Sequence, residues 1–149
     1  MIAIDPGTTH SGLVIYSRNG TVTTSLVLEN KDVFAEIRAH SNLPVAIEMI
    51  ASYGMAVGKE VFVTCLWIGR FIQCAGADRV RLVYRKDVKL HLCGSPRAKD
   101  ANVRQAIIDL YGGKAAAVGN KKQPGPLYHV KSHAWSALAV AITATQTEG

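Results

Sequence analysis

Two carboxylates and a histidine stand out as the residues that could do chemistry together: Asp5, Glu48 and His133. Asp5 follows the apolar run Ile2-Ala3-Ile4 and precedes Pro6-Gly7, which places it at the end of a short strand, at the edge of a sheet, where a metal ligand would go. An aspartate that ties a turn through its own backbone fits the same Asp-Pro-Gly order. Glu48 interrupts the apolar run from Pro44 to Ile50. A bare charge is costly to bury, so Glu48 either faces solvent at the strand end or is matched by a cation. It gains meaning by pairing with Asp5 at the ends of neighbouring strands. Carboxylates so placed hold divalent ions, which give phosphodiester hydrolysis its hydroxide nucleophile and relieve charge on the pentavalent oxygens and the leaving O3′. The hydroxyls of Thr8, Thr9 and Ser11 follow Asp5 directly and are placed to contact phosphate.

Strands and helices alternate along one domain, 1–149, and carry these residues. Ile2 to Ile4 and the apolar residues after Gly12 form a hairpin with a polar tip, and Thr21 to Leu28 makes a third strand. A helix follows, with Asn30 as its N-cap and Val33, Phe34 and Ile37 on one face. The strand bearing Glu48 comes next. The loop from Ser52 to Gly58 leads to a long helix, Lys59 to Ala75, apolar nearly all round and so in need of two partners. One face covers the sheet. The other, with Val63, Trp67 and Phe71, packs either on a second subunit or under loops of its own chain.

Val80 to Tyr84 reads as a fifth strand, Lys86 to Leu92 as a short helix, and Val103, Ala106, Ile107 and Leu110 mark a clear helix stopped by Gly112-Gly113. Asp100 lies in the first turn of that helix, where an acid favours the dipole without any ligand role. From Gly112 to Val130 the chain has the composition of a mobile phosphate-contacting loop or of a plain linker. The closing helix begins at Ser132-His133 and is rich in alanine, which lets it lie close against a sheet with His133 as its polar contributor.

Charge is unevenly spread. The chain has 17 Lys and Arg against 11 Asp and Glu, and residues 70 to 131 hold 13 of those bases and 4 of the acids. A basic half on a chain whose proposed site is acidic fits a polyanion that is handled by carboxylates and metal, with a solvated basic surface as the alternative. Arg97, Lys99, Lys121 and Lys122 are placed to neutralise such a partner. Cys65, Cys74 and Cys93 form no CxxC pair and read as buried thiols of a reducing compartment. With no signal peptide before Asp5 and an apolar stretch from Ala134 to Ile142 too short to span a bilayer, a soluble cytoplasmic protein with no membrane partner is expected.

Three strands in a meander, a helix, a strand bearing Glu, a helix, another strand and terminal helices is the order of the ribonuclease H-like fold, an α/β architecture with a mixed five-stranded sheet flanked by helices. The residues themselves resemble the RuvC family of Holliday junction resolvases, especially its short phage-type members. The matches are Ile4-Asp5-Pro6-Gly7-Thr8-Thr9, Ala46-Ile47-Glu48, the stretch from His133-Ala134 through Ala137-Leu138-Ala139-Val140-Ala141, and the basic Arg97-Ala98-Lys99-Asp100 before Val103. The resemblance implies a homodimeric endonuclease that nicks two strands of branched DNA, a four-way junction, symmetrically with Mg²⁺ or Mn²⁺, two ions per active site. It implies Asp5 and Glu48 as metal ligands and His133 as a ligand or water-positioning group. Where the family has a further Asp, this chain has Ser136. Ser136 acts through a water, or Asp100 supplies the missing carboxylate, or the chain is a weakened variant. The family places an aromatic near the loop after Glu48 to wedge bases, and Tyr53 is the nearest candidate.

Two other classes compete. Asp-x-Gly-Thr-Thr after a first strand also opens the sugar-kinase and actin-like ATPase fold, but that fold needs two such domains and 149 residues supply one. A non-catalytic junction-binding protein is the reading that Ser136 favours.

Overall fold

The computed structural model describes residues 1–148. Its sheet runs in the order β3-β2-β1-β4-β5, with β1 at Ile2–Asp5, β2 at His10–Tyr16, β3 at Val22–Glu29, β4 at Val45–Met49 and β5 at Val80–Tyr84. The first three strands form an antiparallel meander, and β4 and β5 add in parallel, each after a helical crossover. This is the mixed five-stranded sheet expected from the sequence.

Period-2 alternation divides the core into two layers. Ile2, Ile4, Val45 and Ile47 face one side, where α1 (Asn30–Ala39) and α2 (Lys59–Ala75) cover them with Val33, Ile37, Ile68 and Phe71. Ala3, Val14, Ala46 and Val83 face the other. There they meet α6 (His133–Gln146), flanked by α3 (Arg85–Cys93) and α4 (Asp100–Leu110). Small residues on both surfaces let α6 lie close, and ten of its residues are buried, from Ala134 to Ala144. Asp5 and Glu48 share the parity of Ala3 and Ala46, so the fold directs both carboxylates to the α6 side.

Several expectations are corrected. Val63, Trp67 and Phe71 are not the free face of α2. Phe71 is wholly buried, and Trp67 stacks with it and with Phe34 on α1. The exposed apolar residues of α2 are Phe62 and Leu66. On α4, Ile108 joins Val103 and Ile107 in the core while Leu110 lies outside. The segment 112–130 is anchored: it contains α5 (Lys114–Ala117), a bridge between Gly119 and Pro124, and the core residues Leu127 and Val130. The three cysteines are half-buried free thiols. No helix among the described residues is long and apolar enough to cross a membrane.

Candidate active site

The carboxylates converge by strand register. Ala3 pairs with Ala46 and Ile4 with Ile47 across the parallel β1 and β4, so the next residues, Asp5 and Glu48, end neighbouring strands on the same face. Each is only 4 % exposed. On the other flank Asp5 pairs with Gly12 of β2, and a Cβ on Gly12 would lie 2.2 Å from the backbone oxygen of His133. The missing side chain is therefore what lets the start of α6 rest on the sheet and bring His133 to the carboxylates. His133 Nδ1 stands 3.3 Å from Asp5 Oδ2. Ser132, just before it, has a positive φ of 50°, a backbone conformation uncommon outside glycine that turns the chain sharply into α6.

Sequence reasoning missed Arg85, the residue that faces Glu48. Its Nε donates to Glu48 Oε1 at 2.7 Å, and Nη2 forms an ion pair with the same oxygen at 2.6 Å. The β4–β5 register explains the pairing: Glu48 lies beside Val83 and Met49 beside Tyr84, so Arg85 begins α3 just beyond the strand end. The signal was in the sequence, because a carboxylate within an apolar run demands a cation.

One guanidinium does not balance the site. Burial pushes the Asp5 carboxyl up to about 6, opposed by Arg85 and reinforced by Asp100, with the Ser136 hydroxyl lowering it slightly. Burial and then the charge of Asp5 push Glu48 up to about 7 against the pull of Arg85. Two buried oxygen-donor carboxylates with excess negative charge are chemically suited to a hard divalent cation. Asp100, exposed at the start of α4, lines a cleft between α4 and α6 together with His133, Ser136 and Arg104, and its charge raises both buried carboxyl groups.

The loop after Asp5 is built more tightly than its composition suggested. Ser11 is fully buried, its hydroxyl donating to Asn30 Oδ1 at 2.6 Å, so it is a structural link and not a phosphate contact. Asn30 is not the N-cap of α1 but its first residue; its Nδ2 donates to the Gly7 carbonyl at 2.9 Å and its backbone N–H to that of Thr9. Thr8 and Thr9 remain at the surface of this tied loop, with Thr9 bonded to the His10 ring.

A groove of about 960 Å³ opens on the other side of Asp5, lined by Pro6, Tyr53, Met55, Arg85, Lys86 and Arg97 among others. Tyr53 is exposed, has a positive φ of 49°, and carries Lys86 Nζ 5.3 Å from its ring centre. Lys99 is exposed at the N-terminus of α4, where its backbone N–H is held by Asn102. Lys121 and Lys122 lie in an exposed turn closed by Asn120 and line neither cleft.

No protein-family model and no curated protein sequence matches the chain. Solved structures do. Thermus thermophilus RuvC in complex with a Holliday junction substrate superposes with a TM-score of 0.62 at 21 % identity, covering 95 % of this chain and 90 % of that one. A second Thermus thermophilus RuvC structure gives 0.61 at 21 % identity, covering 97 % and 92 %. The chain has the ribonuclease H-like fold of RuvC over nearly its whole length.

Proposed function

We propose that this chain is a structure-selective endonuclease that resolves four-way DNA junctions by symmetric, divalent-metal-dependent phosphodiester hydrolysis. The observation that carries the reading is the placement of two buried carboxylates, Asp5 and Glu48, side by side at the ends of parallel strands, with His133 beside Asp5. It is supported by the likeness to RuvC, one structure of which holds a Holliday junction substrate.

Asp5 and Glu48 would hold Mg²⁺ or Mn²⁺, with His133 as a further ligand or as the group that positions water. When bound, such an ion would supply activated water and neutralise charge on the phosphate. With Nδ1 turned to Asp5, Nε2 of His133 is the ring nitrogen left to accept a proton at the mouth of the site. Asp100 lines the α4–α6 cleft with Ser136 and would be the carboxylate available in place of the one missing there. Two ions per site, the arrangement implied by the family resemblance, would draw on Asp100 for the second.

The groove beside the carboxylates suits a DNA strand at a junction. Arg97 and Lys86 provide charge and Tyr53 an exposed ring on which a base can stack. Thr8 and Thr9 border the site, Lys99 extends its basic rim, and Lys121 and Lys122 would reach only an outlying arm. Symmetric nicking needs two sites. Phe62 and Leu66, 62 % and 69 % exposed one helical turn apart on α2, form the apolar face through which a homodimer would supply them. A junction substrate would be met in the cytoplasm of a bacterial or phage-infected cell.

The direct test is incubation with Mn²⁺ and either a synthetic four-way junction or a linear duplex of the same sequence. Paired nicks near the crossover of the junction, with the duplex intact, support the reading. Tight junction binding without nicking in Mn²⁺ favours the non-catalytic alternative that Ser136 raises.

A further inference from the structure

The resemblance leads one to expect a carboxylate at 136 and says nothing of a cation at 85. The chain departs at 136, and the charge lost there is compensated by Arg85 on the opposite side of the carboxylates. Ser136 removes a negative charge from the α6 side of the pocket. Arg85 brings a positive charge to the β4 side, held on a single oxygen of Glu48 by a hydrogen bond from Nε and an ion pair through Nη2. Asp5, Glu48 and Asp100 face Arg85, and Arg104 lines the same cleft as Asp100, so the site holds less negative charge than two divalent ions would need. A second ion would have to share Glu48 with a guanidinium and would find a hydroxyl where its carboxylate should stand. Like charges at such range repel strongly in a buried site.

We infer that Arg85 takes the place of the second metal ion, so that each subunit binds one divalent cation and uses the guanidinium as its fixed second positive charge. The inference rests on the proposed nuclease reading of the same site. The geometry gives Arg85 more than a filling role. Its side chain is half-exposed and borders the groove that adjoins Asp5, and Nη1 makes no hydrogen bond among the described residues. That nitrogen is available to a phosphate oxygen of a strand lying in the groove, which is the contact a second ion would make. Lysine could supply the charge, but not the planar fork that holds one carboxylate oxygen and keeps a further donor free.

The stoichiometry of Mn²⁺ binding to the full chain without DNA tests this, measured by isothermal titration calorimetry at pH 8 with thermal unfolding as the check on folding. Wild type is expected to bind one ion per subunit, and Ser136→Asp still one, because Arg85 remains on Glu48. The double variant Arg85→Ala/Ser136→Asp is expected to bind two. Arg85→Gln/Ser136→Asp, which keeps a hydrogen-bond donor for Glu48 and removes only the charge, is expected to bind two as well, so a folding defect in one double variant leaves the other to decide. Two ions in a wild type that nicks junctions would overturn the inference and leave the nuclease reading standing. A second ion in Ser136→Asp alone, or only one in the double variants, would also overturn it. No Mn²⁺ binding and no nicking in the wild type would remove both.

Discussion

The backbone of His133 rests on Gly12. A Cβ at position 12 would fall 2.2 Å from the His133 carbonyl oxygen and 2.7 Å from the Ala134 nitrogen, both main-chain atoms that cannot rotate away. Asp5 lies opposite Gly12 in the β1–β2 ladder, so one small residue sets the distance between a carboxylate and the helix that faces it. Gly12→Ala is therefore expected to push α6 off the sheet, with a cost of about 1–3 kcal/mol from overpacking. Nicking should fall much further than stability, because His133 moves away from Asp5. Chemical denaturation and single-turnover cleavage, measured together, check both; an alanine variant with wild-type cleavage would show that the contact does not position His133.

The raised carboxyl groups make the metal-free fold sensitive to pH in a fixed direction. Asp5 moves from 3.8 to about 6 and Glu48 from 4.5 to about 7. Between about pH 4 and 7 the folded chain thus binds more protons than the unfolded chain, and these groups make stability fall as pH rises through that window. Without metal the melting temperature should be lower at pH 8 than at pH 5. Asp5→Asn should raise it at pH 8, on the order of a few degrees for each kcal/mol relieved, and do little at pH 5. Mn²⁺ should stabilise the wild type far more at pH 8, since binding competes with protons for both carboxylates. A melting temperature that climbs steadily from pH 5 to 8 without metal would contradict the burial argument.

Phe62 and Leu66 leave α2 with an uncovered apolar pair. If this face joins two subunits, Phe62→Glu/Leu66→Glu should shift the protein from dimer to monomer in sedimentation. Nicks on the two strands of a junction should then lose their coordination, while the fold stays intact because neither residue belongs to the core. A wild type that sediments as a monomer at assay concentrations would rule the face out.

How far the sequence could be read depended on whether a feature is local. The strands and helices that position the site are written in short-range periodicity, and Lys59–Ala75 and Val80–Tyr84 fall where the pattern places them. The parity that turns Asp5 and Glu48 to one face is likewise local. What eluded the sequence depends on register. Arg85 meets Glu48 only because β4 and β5 pair as they do, 37 residues apart. Asn30 has the composition of a cap but spends its side chain on Ser11 and Gly7 of a loop reached only through the meander. The free face of α2 was misassigned because an all-round apolar helix gives no phase, and the aromatic contact with Phe34 on α1 sets it.

On the nuclease reading, Asp5 and Glu48 serve metal-dependent cleavage and not the recognition of DNA. The most direct measurement compares wild type with Asp5→Asn and Glu48→Gln for junction binding in chelator and for nicking in Mn²⁺. The basic groove is untouched in both variants, so binding should stay within about twofold, while nicking should drop at least about a hundredfold through loss of a metal ligand. Nicking at the wild-type rate in either variant would contradict the account.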